Sequence, residues 1–269
     1  MQIDAPSGTE PQFDSPESLE KRNLIQDAYG THPRRWFRWV SDRLSFPLGS
    51  RLLELGSGDG SFWLEARDHL RPDWRLVLSD RDGPMAAKAA ENLHVLPLAV
   101  QVVALDAQQL PFASSQFAGV LAIGLFDLVD DLDQVLREVF RVLAPGGCLV
   151  CSAGGNGHLR QMESLVRSFV VDADLGGRPE RFGLENGEGW LSRYFSPVVR
   201  HMYKDELIFR RAEPVIEYVL SEQEINNAFN EQERLQFISL IKQKLIREGP
   251  LRVSREKGLF FAWKPDVVD

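Results

Sequence analysis

Basic charge is the first thing this chain lacks. Its 269 residues carry 31 Lys and Arg against 39 Asp and Glu, for a formal net charge of −8. Proteins that follow nucleic acid need a basic stripe to neutralise phosphates. The acidic balance therefore argues against an RNA or DNA partner. Long apolar runs are also missing. No stretch of 18 apolar residues occurs, so no membrane-spanning helix is expected and no membrane partner. The first residues, Met1-Gln-Ile-Asp-Ala-Pro6, have neither the basic start nor the apolar core of a signal peptide. The expected compartment is the cytoplasm. Cysteine is scarce, with only Cys148 and Cys151. Both fall in one apolar run that reads as a strand, where residues three apart point to opposite faces. They read as buried thiols, and no metal site is expected.

What is present is concentrated in Arg51-Leu-Leu-Glu-Leu-Gly-Ser-Gly-Asp-Gly60. A short apolar strand carries Glu54 and runs into Gly56, Gly58 and Gly60. A helical pattern begins at Ser61. Glycines at that spacing let the backbone turn tightly and approach a ligand with no Cβ in the way. The dinucleotide fingerprint G-x-G-x-x-G/A would need Gly or Ala at position 61, where this chain has Ser61. Glu54 points the same way. A carboxylate repels a pyrophosphate and attracts a sulfonium or an ammonium.

Two further strands end in acids. Arg75-Leu-Val-Leu-Ser-Asp80 places Asp80 where a carboxylate can accept from both hydroxyls of a ribose. Val102-Val-Ala-Leu-Asp106 places Asp106 where it can accept from an adenine amino group. A lone strand-end acid is more often a cap or a turn residue. Three in succession mark a ligand edge, because ligands of open α/β sheets bind at the carboxyl ends of the strands.

With these residues in hand, the chain resembles the class I S-adenosylmethionine-dependent methyltransferases, in particular the bacterial small-molecule type. Leu53-Glu-Leu-Gly-Ser-Gly-Asp-Gly60 is similar to the family's first motif. Asp80-Arg-Asp-Gly-Pro-Met85, Asp106-Ala-Gln-Gln-Leu-Pro-Phe112 and Leu136-Arg-Glu-Val-Phe-Arg-Val-Leu-Ala-Pro-Gly-Gly147 are similar to the later ones, in the expected order. The resemblance implies binding of S-adenosyl-L-methionine and its product S-adenosyl-L-homocysteine. The positions it implies are Glu54, Gly56, Ser57, Gly58, Gly60, Asp80, Arg81, Met85, Asp106, Ala107 and Ile123. It also implies a Rossmann-like seven-stranded α/β sheet in the order 3-2-1-4-5-7-6, with the last strand antiparallel and helices on both faces. Two departures stand out. Ala118 occupies a position that is usually Asp, and Gly124-Leu-Phe-Asp-Leu-Val129 has none of the histidines relatives often carry there.

The expected organisation follows. Residues 1–18 read as a flexible tail and 19–269 as one methyltransferase domain. Within it, 19–44 form a helical cap, 50–153 the cofactor-binding core, 154–256 a substrate-side insertion with helices, and 257–264 the last strand. Leu132–Leu143, His158–Val171, Glu213–Leu220 and Ser221–Arg247 read as helices, and Val198–Phe209 as a strand. On the acceptor side, Trp36 and Trp39 either meet a ligand or pin the N-terminal helices to the sheet. Phe126 and Asp127 follow the fourth strand, and Asn156 and His158 follow the fifth. Tyr29 is a weaker candidate for the same pocket. His158 and Asp127 are the candidate catalytic groups, and Tyr29, Trp36, Trp39, Phe126 and Asn156 the candidate acceptor contacts. The functional expectation is methyl transfer to a small-molecule acceptor. The alternatives are a cofactor-binding relative without turnover, or an enzyme modifying RNA or protein.

Overall fold

In the computed structural model, residues 15–175 and 177–266 are described. Strand and helix alternate through the first half. β1 (Arg51–Leu55), β2 (Arg75–Asp80), β3 (Ala99–Ala104), β4 (Phe117–Ala122) and β5 (Leu143–Gly154) run parallel. β6 (Val198–Phe209) and β7 (Leu251–Trp263) complete one sheet in the order β3-β2-β1-β4-β5-β7-β6. β7 is antiparallel to both of its neighbours, as expected.

Each strand feeds both faces, because side chains alternate along it. Leu53 and Leu55 enter the core under α5 (Leu132–Val142), while Leu52 enters the one under α3 (Ser61–Ala66) and α4 (Gly83–Leu93). Cys151 and Cys148 divide between the same two cores and are free thiols. Burial pushes the Cys148 thiol up to about 12, so it stays protonated and inert. α5 shows why the local sequence folds as it does. Val135, Leu136, Val139 and Val142 recur at helical spacing and are fully buried. Asp131 caps the start by accepting from the Gln134 N–H at 3.0 Å.

Several boundaries differ from the sequence expectation. The first helix, α1 (Pro16–Tyr29), begins inside the segment read as tail; residues 1–14 of that tail lie outside the described residues. Ser15 accepts from the Ser18 N–H, Pro16 sits in the first turn and Glu17 follows, a complete helix start. α2 (Trp36–Ser41) follows the His32-Pro33 break. The helix expected over 158–171 shortens to α6 (Arg160–Val166), because Leu159 takes a left-handed conformation and donates its N–H to Ser254 O at 2.8 Å. α7 (Gly187–Leu191) and α8 (Ala212–Ser221) come next. The long helix expected from Ser221 is two, α9 (Gln223–Ala228) and α10 (Glu231–Glu248), separated by an Asn230–Glu233 capping box. β7 starts at Leu251, six residues before the expected 257. Its charged positions hid it, although every residue from Leu251 to Ala262 pairs with β6.

Candidate active site

A cleft of about 1120 Å³ opens along the carboxyl edge of the parallel strands. Its floor is the turn after β1. Gly56, Gly58 and Gly60 all have positive φ, at 66°, 54° and 79°. At Gly58 a Cβ would stand 3.1 Å from Leu19 of α1, so the turn and the helix above it are in near contact. The Gly58 N–H donates to Asp80 Oδ2 at 2.8 Å, and the Asp82 N–H donates to Asp80 Oδ1 at 2.9 Å. Two backbone donors therefore hold the Asp80 carboxylate at the end of β2. Burial raises its pKa despite them.

Glu54 lies deeper, at 2 % exposure. Its carboxyl accepts from the Trp63 indole N–H. Desolvation, opposed by that hydrogen bond and reinforced by Asp80 and Asp59, lifts it to about 8. The group is held protonated at neutral pH until a positive charge arrives beside it. Trp63 is fully buried and serves Glu54 rather than the cleft surface. Ser57 Oγ is buried with no hydrogen-bond partner among the described residues, an acceptor-donor left open at the tip of the turn. An acid-lined cradle with an open hydroxyl and a Cβ-free approach fits a positively charged nucleoside. It does not fit a pyrophosphate.

Of the expected cofactor residues, Glu54, Gly56, Ser57, Gly58, Asp80, Arg81, Met85, Asp106, Ala107 and Ile123 all line this cleft. Gly60 does not. It caps α3, and a Cβ there would press on Leu93 at 2.8 Å. Asp106 accepts from the Gln108 N–H at 2.8 Å, and Gln108 itself lines the cleft.

The acceptor candidates divide. Trp36, Asp127 and His158 line the cleft. Tyr29, Trp39, Phe126 and Asn156 do not, which corrects their expected placement. Tyr29 packs on Phe209, with ring centroids 4.9 Å apart, beyond β6. Trp39 stacks under Trp36 at 5.5 Å and beneath the Arg43 guanidinium. Phe126 turns inward against Phe182. Asn156 is exposed, and its backbone N–H, not its side chain, donates to Glu185. In each case apolar area or solvent won over the cleft. Ala118 also lies off the cleft wall.

His158 is buried with Nδ1 unpartnered among the described residues. Burial, then the nearby Lys257 and Arg255 charges, hold its pKa well below the usual histidine range. It is a neutral imidazole. Asp127 accepts from the Arg178 N–H at 3.3 Å, and burial raises its pKa.

The lid over the cleft is wider than the sequence suggests. α1 contributes Leu19, Asn23 and Gln26, residues 172–175 with Gly177 and Arg178 close one side, and the turn between α8 and α9 closes another. Gln26 donates to the Tyr218 hydroxyl at 2.8 Å, and Arg22 pairs with Glu222 at 3.0 Å. Lys257, at the start of the cleft-facing part of β7, also escaped the sequence reading. Its pairing with Gly154, the last residue of β5, was the signal, and that register is not visible in residue order.

Comparison with known proteins agrees with the geometry. Residues 53–151 match a family model described as a methyltransferase domain. The ubiquinone/menaquinone biosynthesis C-methyltransferase of Haemophilus ducreyi is 31% identical over 195 residues, covering 70% of this chain and 72% of that protein. The chain spans about half the length of most other curated relatives it matches. Two solved structures share the fold. A putative methyltransferase from Bacillus halodurans superposes with a TM-score of 0.57 at 17% identity, over 85% of this chain and 98% of that one. Haemonchus contortus phosphoethanolamine N-methyltransferase 2, crystallised with S-adenosyl-L-methionine, gives 0.55 at 18%, over 94% and 58%. The chain belongs to the class I S-adenosylmethionine-dependent methyltransferases.

Proposed function

We propose that this protein transfers the methyl group of S-adenosyl-L-methionine to a small, partly apolar acceptor, releasing S-adenosyl-L-homocysteine. The observation that carries the reading is the acidic cradle: Asp80 held by the Gly58 N–H, above a protonated Glu54 and an open Ser57 hydroxyl. When bound, the cofactor supplies an electrophilic methyl on a sulfonium. In this reading Asp80 takes the ribose hydroxyls and Asp106 the adenine amino group. Arg81, Met85, Ala107 and Ile123 flank the nucleoside, and Glu54 with the glycine turn faces the methionyl end. A charged hydrogen bond of the Asp80 kind contributes about 1–3 kcal/mol.

The acceptor half is assigned to the cleft beyond Ile123. Trp36, Phe37, Leu125, Leu175 and Ile225 supply apolar surface there, and His158 and Asp127 the polar groups. The protein's work is to hold the nucleophile in line and to exclude water. The H. ducreyi relative is named as a C-methyltransferase of ubiquinone/menaquinone biosynthesis, which supports a small-molecule acceptor. No helix among the described residues is long and apolar enough to cross a membrane. The proposed setting is the cytoplasm.

Calorimetry tests the cofactor assignment. Binding of S-adenosyl-L-methionine and S-adenosyl-L-homocysteine is expected, weakened about 5–150-fold by Asp80→Ala. Absence of heat with both ligands in folded protein, together with binding of NAD, overturns the reading.

A further inference from the structure

Two cations stand two residues apart on the same face of β7, and only one of them is neutralised. Arg255 pairs with Asp205 at 3.1 Å, both almost wholly buried. Asp205 is already occupied on its other side by the Thr31 and His32 N–H groups at 2.8 and 2.7 Å. That ion pair ties β6, β7 and the α1–α2 link together. Lys257 is left over. Among the described residues no carboxylate lies within 4.0 Å of its amine. Its nearest polar partner is Gln26 Oε1 at 3.4 Å, and the amine lies 5.3 Å from the centre of the Trp36 ring.

Placement gives this amine a direction. Lys257 is in register with Gly154, so it reaches the carboxyl edge of the sheet beside the turn that carries His158. It lines the cleft with His158, Asp127, Gln26 and Trp36. We propose that Lys257 is the proton acceptor for the group to be methylated, and that the acceptor molecule presents an acidic hydroxyl of the phenol or enol type. The inference rests on the methyltransferase reading above and names the acceptor chemistry of that same cleft.

The neighbours decide between the candidate bases. Burial and Arg255 lower the Lys257 amine, while Asp27 on α1, Asp127 after β4 and Asp205 on β6 raise it; the outcome is about 7. His158, on the same wall, is pushed far lower and cannot retain a proton near neutrality. Asp127 is the weaker base, being a carboxylate that already accepts from Arg178 N–H. A base titrating near the working pH combines availability with driving force. An amine of this strength deprotonates a phenol or an enol and leaves an aliphatic alcohol untouched. In the step, the acceptor O–H bond breaks and its electron pair stays on the acceptor. The proton forms a new N–H bond on Nζ, giving an ammonium beside the phenolate or enolate. After product leaves, the ammonium returns the proton to water. The flat Trp36 ring beside the amine suits an aromatic or conjugated acceptor.

The test uses the full chain without cofactor, so it can fail while cofactor binding holds, and the reverse. The probe is 4-nitrophenol, coloured only as the phenolate, added at about pH 6, where the free probe is mostly neutral. Tryptophan quenching reports its binding. The expected result is a phenolate band in the wild type that drops about 10-fold or more in Lys257→Met while quenching persists. A bound probe without the band, an equal band in Lys257→Met, or no binding at all overturns the proposal. A second measurement does not depend on a variant folding. Reductive methylation with ¹³C-formaldehyde labels the lysines of the wild type, and NMR titration should show one resonance with a midpoint near 7. If every lysine titrates in the ordinary range, the proposal is overturned.

Discussion

Around β1 and β2 the polar contacts of the cleft are short in sequence: Gly58 N–H meets Asp80 over 22 residues, and Trp63 meets Glu54 over 9. Across the cleft, Lys257 meets Gln26 over 231 residues, and Gln26 meets Tyr218 over 192. The first wall is a product of strand–turn–helix chemistry, so any chain with that local sequence rebuilds it. The second is assembled from α1, β7 and α8, which meet only once the whole sheet has closed. In the proposed function the first wall takes the cofactor and the second the acceptor.

The contrast sharpens first at Glu54. Its folded-state pKa of about 8 lies above the ordinary carboxylate value of 4.5. The folded chain therefore holds a proton that the unfolded chain releases. This contribution to stability is complete below about pH 4.5 and is lost as pH rises to about 8, at about 1.4 kcal/mol per pH unit across that window. The expected result is a fall of a few kcal/mol in unfolding free energy of the cofactor-free protein between pH 5 and pH 8. Glu54→Gln keeps an oxygen for the Trp63 indole and should flatten that part of the slope. Cofactor binding near pH 7 should also release a proton, read as buffer-dependent heat that the variant lacks. An identical pH slope in both proteins would remove Glu54 from the cradle's electrostatics.

A smaller effect is expected at Gly60. Its φ of 79° strains any side chain, and a Cβ would meet the buried Leu93. Gly60→Ala should cost more than about 1 kcal/mol in urea unfolding. Cofactor affinity should fall with it, since the turn and α3 move together. Unchanged stability would mean the turn is softer than its hydrogen bonds imply.

The same split between local and assembled walls explains what residue order revealed. The early strands and the Gly and Asp residues at their carboxyl ends were legible as local signals, apolar runs ended by Gly or Asp, while the strand order and the other cleft-lining positions came with the family resemblance. The β7 start was not legible, since Arg252, Ser254 and Glu256 interrupt its apolar positions and only pairing with β6 makes it a strand. Aromatic residues misled for a related reason. Tyr29, Trp39 and Phe126 carry the same apolar surface whether they face a ligand or a core, and all three went to cores. Lys257 and Gln26 carried no motif, and only the fold brings them to one wall.

The lid is where a modest change should separate the walls. Tyr218→Phe removes the hydroxyl that accepts from Gln26 and leaves both side chains packed. A lost neutral hydrogen bond costs about 1 kcal/mol. Faster amide exchange is expected across α1, with cofactor affinity changed less than threefold. Protection of α1 equal to the wild type would show that Arg22 and its ion pair with Glu222 hold the helix without Gln26.

The smallest effect is expected at Asn156, and it is informative because sequence position alone favours a role. The residue lies two places after the end of β5 and two before His158, where an acceptor contact is the natural reading. In the fold the Gly155–Gly157 turn bends around Glu256: the Gly157 N–H donates to Glu256 Oε2 at 3.2 Å, and a Cβ at either glycine would collide with that carboxylate. The turn sends Asn156 outward to solvent and His158 inward to the cleft. Only the Asn156 backbone is used, donating to Glu185 Oε1 at 3.1 Å, and alanine preserves it. Asn156→Ala should change stability by no more than about 0.5 kcal/mol. Binding of S-adenosyl-L-methionine and of 4-nitrophenol should also match the wild type in calorimetry and quenching. A loss in either would mean that the turn flips when the cleft fills, bringing Asn156 in and redrawing the acceptor wall.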